Sequence, residues 1–180
     1  LAILQNSVFL GKNKIMGNKI YNIFALLVLL FCCTACPYES QVPIDTPQMS
    51  IDETLLGKWK DAESTNKDFY EFKKLDNQRY AIIENTLDET LEVYRKEEYT
   101  GYLSSVSGML FWNLKTSKPD KGYLLYKVEF AKDKQQFTLL PLSDNIKEKF
   151  ETSQDLKTFI DKYKGLSFFY GKEMTFVRIK

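Results

Sequence analysis

The 180-residue chain contains no histidine, and that absence removes whole classes of chemistry. Ser-His-Asp and Cys-His catalysis, histidine-ligated zinc and histidine pH switching are all excluded. Cysteine is scarce: Cys32, Cys33 and Cys36 are the only three, and none follows Cys36. The folded part therefore has no disulfide and must be held by its core. There is no basic excess either, with 25 Lys+Arg against 24 Asp+Glu and no clustered cationic face, so nucleic acid is not an expected partner. No P-loop, EF-hand loop or dinucleotide fingerprint occurs, no internal repeat is evident, and no cofactor is expected. What remains is carboxylate chemistry or a hard-cation site. The runs Asp52-Glu53, Asp88-Glu89 and Glu97-Glu98 are the candidates, although solvated turns and strand ends account for them more simply.

A long apolar run is also missing. The longest, Ile23 to Ala35, has 13 residues, short of the ~20 that span a bilayer but within the ~7–15 of a signal-peptide core. Lys12, Lys14 and Lys19 precede it. The segment Leu30-Phe31-Cys32-Cys33-Thr34-Ala35-Cys36 resembles the lipobox of bacterial lipoproteins, with Thr34 and Ala35 at the small positions and Cys33 where leucine is usual. The resemblance implies cleavage before Cys36, lipid on that cysteine, and a cell-envelope location, at the outer membrane of a Gram-negative bacterium. A plain secretory signal and an uncleaved anchor are the alternative readings. Myristoylation at Gly17 is set aside because Tyr21 occupies the required Ser/Thr position. Residues 1–35 read as the signal, with 1–15 as an upstream extension before a conventional start at Met16. Removing them leaves 145 residues, 22 Lys+Arg and 24 Asp+Glu, a net charge of −2. That length supports one domain.

Residues 36–54 carry Pro37, Pro43 and Pro47 among polar residues and read as a lipid-anchored linker reaching on the order of 40–50 Å. The alternative is a loop packed on the domain. From Leu55 to Lys180 the chain alternates short apolar runs with turn signals, as in an antiparallel meander. The runs are Leu55–Lys60, Asp68–Lys73, Arg79–Glu84, Thr90–Tyr94, Tyr99–Ser104, Met109–Leu114, Tyr123–Phe130 and Gln136–Leu140, with a turn expected over Asn85–Glu89. Leu124, Tyr126, Val128 and Phe130 share one face. Met109–Leu114 is apolar on both faces and should be central. Leu156, Phe159, Ile160 and Tyr163 then fall at helical spacing, with Thr152 or Ser153 placed to cap and Gly165 beyond the end. Ser143–Phe150 reads as a shorter helix before it. Leu166–Tyr170 and Glu173–Ile179 return to strand. The expectation is a mainly β domain, a small antiparallel barrel or curled sheet with one or two helices near residues 143–164.

Gly57, Trp59 and Arg178 add a family resemblance. Leu56-Gly57-Lys58-Trp59 is similar to the Gly-x-Trp motif opening the first strand of lipocalins and their calycin relatives. In that family the Trp closes one end of the barrel, and an Arg from late in the chain lies across it. Arg178 matches that place. The resemblance implies a lipocalin-like barrel over residues 55–179 in which the guanidinium stacks on the indole, worth ~0.5–2 kcal/mol. The helices here precede two apparent strands, where lipocalins usually have one.

Aromatic residues are numerous, 26 of 180, enough to fill a core and to line a cavity as well. Tyr94, Tyr99, Tyr102, Phe111, Trp112, Tyr123 and Tyr126 are the candidate ligand-lining residues, with core packing the competing role. Phe168-Phe169-Tyr170 is a candidate exposed patch in which two of the three side chains should pack. Tyr99–Gly108 reads as a bulged hairpin or, alternatively, a lip over a barrel mouth. Three functions fit: a non-catalytic binding module for a small apolar ligand, a glycan or a protein; an accessory or inhibitory subunit of an envelope complex; and a carboxylate-based hydrolase. The first is the favoured reading. Its structural mark is an internal cavity of about 300 Å³ or more.

Overall fold

The computed structural model describes residues 37–180. The signal expected over residues 1–35 and the lipidation expected at Cys36 fall outside the described residues. The strands are β1 (Glu39–Ser40), β2 (Gly57–Asp61), β3 (Phe69–Lys74), β4 (Tyr80–Asp88), β5 (Val93–Val106), β6 (Met109–Thr116), β7 (Tyr123–Phe130), β8 (Gln136–Pro141) and β9 (Met174–Arg178). One helix, α1 (Ser153–Tyr163), lies between β8 and β9. Strands β2 to β9 pair in sequence order, all antiparallel, and β9 pairs back onto β2. The result is a closed eight-stranded barrel with one helix, consistent with a lipocalin-like small barrel. Closure leaves no long unpaired edge.

Alternation along each strand sorts side chains between two apolar clusters. One fills the barrel: Trp59, Phe72, Tyr80, Leu103, Trp112 and Phe137 are buried there, with Tyr126 and Phe130 packed against them. The other lies outside the wall, where Phe111, Val106 and Leu125 meet Leu156 and Ile160 of α1. Strand β6 serves both clusters, Leu110, Trp112 and Leu114 inward and Met109 and Phe111 outward. This is why its sequence is apolar on both faces.

The linker reading of residues 36–54 and the domain start at residue 55 are corrected. Pro37 onward belongs to the same compact unit as the barrel. Strand β1 pairs with the beginning of β7, and Tyr38 and Ile44 are buried in the outer cluster. Polar contacts then fasten the segment. The Ile44 amide donates to Asn113 Oδ1 at 2.8 Å, Asn113 Nδ2 donates to Ser104 Oγ at 2.8 Å, and the Ser104 hydroxyl donates to Asp45. Asp45 also accepts from Tyr102, whose hydroxyl reaches its carbonyl at 2.6 Å, and from Lys157 Nζ of α1 at 3.0 Å. Outside the two-residue β1, residues 41–52 form no strand or helix, as their proline content leads one to expect.

Four further expectations change. Ser143–Phe150 is irregular chain rather than a helix, although Ile146 and Phe150 still pack on the outer cluster. Leu166–Tyr170 is a single 3-10 turn over Ser167–Phe169, so only one strand follows the helix. The turn placed at Asn85–Glu89 lies further on, because Asn85 is buried and donates to the carbonyls of Phe69 and Ile83. Asp88 Oδ1 instead accepts from Thr90 and Leu91 to make the turn into β5. Tyr99–Gly108 is neither bulge nor lip: β5 is regular through Val106, and Ser107 (φ 48°) with Gly108 (φ 83°) forms a two-residue hairpin turn of the kind that needs positive φ at both positions. The α1 start is as expected, with Thr152 accepting from the Asp155 amide.

Asn113→Ala leaves the Ile44 amide and Ser104 without their partner. It is expected to reduce stability by about 1–3 kcal/mol, measured by denaturant unfolding. A loss near zero would show that the N-terminal segment is not fastened through Asn113.

Candidate functional site

The base of the barrel is closed by side chains from both ends of the domain. Trp59 is fully buried, donates from Nε1 to the Leu55 carbonyl at 2.8 Å, and packs edge-on against Phe137 at 4.8 Å between ring centroids. The Arg178 guanidinium lies 4.3 Å from the indole centroid. Its Nη1 donates to the Leu56 carbonyl at 2.9 Å and its Nη2 to the Thr54 carbonyl. Gly57 has φ +127°, and a Cβ there would sit 2.8 Å from Arg178 Nη1. A side chain at Gly57 would be strained twice, by backbone and by contact.

Above this base the interior is not filled. A partly open cavity of about 220 Å³ lies among β3, β4, β5, β6, β7, β8 and β9. Of the sequence candidates, Tyr99, Trp112 and Tyr126 line it. Tyr102 and Phe111 do not: each is one residue out of phase with the inward face and is buried in the outer wall, Tyr102 against Asp45 and Phe111 in the α1 cluster. Tyr123 also packs outside. Tyr94 is exposed near the β4–β5 turn, against Phe69.

The chemical centre of the cavity is a residue outside that candidate set. Glu84 is the only charged side chain on its lining. Tyr70 donates to Oε1 at 2.9 Å and Tyr99 to Oε2 at 3.0 Å. No Lys or Arg lies within ion-pair distance of Glu84 among the described residues. The strand pattern holds the signal for both missed residues. Tyr80, Ile82 and Glu84 share one face of β4, as Tyr70 and Phe72 share one face of β3. A carboxylate in phase with buried apolar neighbours points inward.

Burial first, and then the negative charge of Glu84, raises the Tyr70 and Tyr99 hydroxyls far above the ordinary phenol range. The same two causes push Tyr126 up to about 12. All three therefore stay protonated and can donate. Tyr70 and Tyr99 spend their protons on Glu84, while the Tyr126 hydroxyl has no protein partner among the described residues. The acidic runs named from the sequence have surface tasks: Asp52 pairs with Lys134 at 3.2 Å, Asp88 with Arg95 at 2.5 Å and Glu97 with Lys118 at 2.9 Å. No cluster of metal-ligating side chains occurs among the described residues.

No protein-family model matches this chain, and neither the curated proteins nor the solved structures contain a match.

Two outcomes follow from these contacts. Arg178→Met removes the stacked guanidinium and both carbonyl contacts, and should lower stability by about 1–3 kcal/mol in urea unfolding. Arg178→Lys should recover only part of this, since an ammonium cannot stack and fork together. The second concerns alkali. Tyrosines raised in the fold contribute stability that is complete below the ordinary phenol pKa and lost as pH rises through the folded values. Melting temperature should therefore fall steeply between about pH 10 and 12, and less steeply in a Tyr70→Phe, Tyr99→Phe double variant. Equal slopes would mean that the Tyr70 and Tyr99 hydroxyls do not contribute to the loss.

Proposed function

We propose that this protein is a membrane-tethered, non-catalytic binding module of a cell envelope, which holds a small, largely apolar ligand inside its barrel. The observation carrying this reading is the cavity of about 220 Å³ with aromatic walls and a single carboxylate. Its volume is below the ~300 Å³ typical of drug-sized sites. At interior packing density it accommodates on the order of ten non-hydrogen atoms. A lone carboxylate supports binding over carboxylate-pair hydrolysis, which needs two such groups facing one bond.

The tether reading comes from the lipobox-like sequence ending at Cys36. Its consequence differs from that of a long stalk, because Tyr38 is already part of the domain. Lipid on Cys36 would hold the barrel close to the bilayer surface, and a multi-chain anchor is effectively permanent.

A second reading, an accessory subunit of an envelope complex, draws on exposed apolar side chains. Leu91, Val93 and Tyr94 cluster at the β4–β5 turn, and Phe168 is 69% exposed.

Native mass spectrometry of the protein released from its own envelope separates these readings. The binding-module reading expects a retained small mass, and the subunit reading a co-purifying protein. For the tether, Cys36→Ala is expected to move the protein out of the carbonate-washed membrane fraction. A variant that stays in the membrane would sink lipid anchoring.

A further inference from the structure

Building on the binding-module reading, we propose that the cavity selects a small organic cation: a protonated amine or quaternary ammonium carrying an apolar body. Glu84 is the argument. It lies inside a barrel, on the wall of a cavity otherwise lined by apolar and tyrosine side chains, with no cationic partner among the described residues. An inward carboxylate that only had to be satisfied would meet an Arg or Lys, or be replaced by an apolar residue. Here it is held by two tyrosine hydroxyls, one on each oxygen.

Those two bonds orient the carboxylate without neutralising it. Each oxygen accepts one hydrogen bond from a tyrosine hydroxyl and keeps a further acceptor site. A protonated amine would donate one N–H to Glu84, a bond between two ions, and could donate another to the Tyr126 hydroxyl, whereas a quaternary ammonium would be held by the carboxylate charge and the rings alone. The surrounding rings supply the rest. Tyr70, Phe72, Tyr99, Trp112 and Tyr126 all line the same space, and aromatic faces attract a cation and an apolar body alike. An anion would meet Glu84 unscreened, and a neutral ligand would bury the carboxylate without replacing its lost hydration. Charge therefore sets the selectivity of this cavity, and its volume sets the size limit.

The test uses the full chain and three probes of nearly equal size, 2-phenylethylammonium, 2-phenylethanol and phenylacetate, titrated by calorimetry at neutral pH. The ammonium is expected to bind at least about tenfold more tightly than the alcohol, and the carboxylate not measurably. Glu84→Gln should erase the ammonium preference while leaving alcohol binding in place, with circular dichroism checking the fold. Tyr126→Phe keeps Glu84 and should retain most of the preference, so it serves if the Gln variant does not fold. Equal affinity for ammonium and alcohol would overturn the cation assignment and leave the binding-module reading standing. Tighter binding of the carboxylate, or a preference surviving in Glu84→Gln, would overturn it as well. Failure of all three probes to bind would overturn both readings together.

Discussion

Everything enclosed by this protein depends on one seam, the antiparallel pairing of β2 with β9. Trp59 stands opposite Arg178 in that ladder, and the two side chains meet again inside it, guanidinium over indole. Arg178 also reaches the carbonyls of Thr54 and Leu56, immediately before β2. One cation thus joins the entry of the barrel to its last strand across 122 residues of chain. The backbone ladder closes the cylinder, and the stacked pair closes its base. Without that seam the meander would be an open sheet, with an unpaired edge on β2 and another on β9. The cavity above would then lose the side of its wall formed by Met174 and Phe176 of β9.

The wall formed by β5 and β6 has two working faces. Inward, it presents Tyr99, Trp112 and Leu114 to the cavity. Outward, it presents Tyr102, Ser104, Phe111 and Asn113 to the N-terminal segment and to α1. The outer face carries a side-chain network running from Ile44 through Asn113 and Ser104, both buried, to Asp45 and Lys157. This arrangement fixes the wall from behind, and with it Tyr99, the one cavity tyrosine that β5 carries. The same covering brings the chain from Pro37 onward into the domain.

Much of the fold is legible in the residues. The strand alternation of Leu124, Tyr126, Val128 and Phe130, the stripe of Leu156 and Ile160, the Thr152 cap and the Trp59–Arg178 pair each follow from local pattern or motif. The failures share a cause. Ser143–Phe150 and Leu166–Tyr170 have apolar residues at plausible spacing, yet these side chains are taken up by the outer cluster, which satisfies them without regular backbone. Residues 37–54 look like a linker because prolines and polar residues dominate, and two buried apolar anchors, Tyr38 and Ile44, were too sparse to mark packing. At the site, aromatic content identified Tyr99, Trp112 and Tyr126 but also Tyr102 and Phe111. Composition counts aromatic residues without regard to phase, whereas the barrel sorts them by parity.

The strand meander, the amphipathic helix over Ser153–Tyr163 and the excluded chemistry can be read from the residues alone, because each is a local property of residue type and spacing. Only the assembled barrel decided that Glu84 would be bonded by Tyr70 and Tyr99, and that residues 37–54 would pack against its wall. Both require residues distant in sequence to meet, Glu84 with partners 14 and 15 positions away and Ile44 with one 69 positions away. Those meetings are set by register between strands and by the path of the chain over them, which residue type and spacing within one segment do not specify.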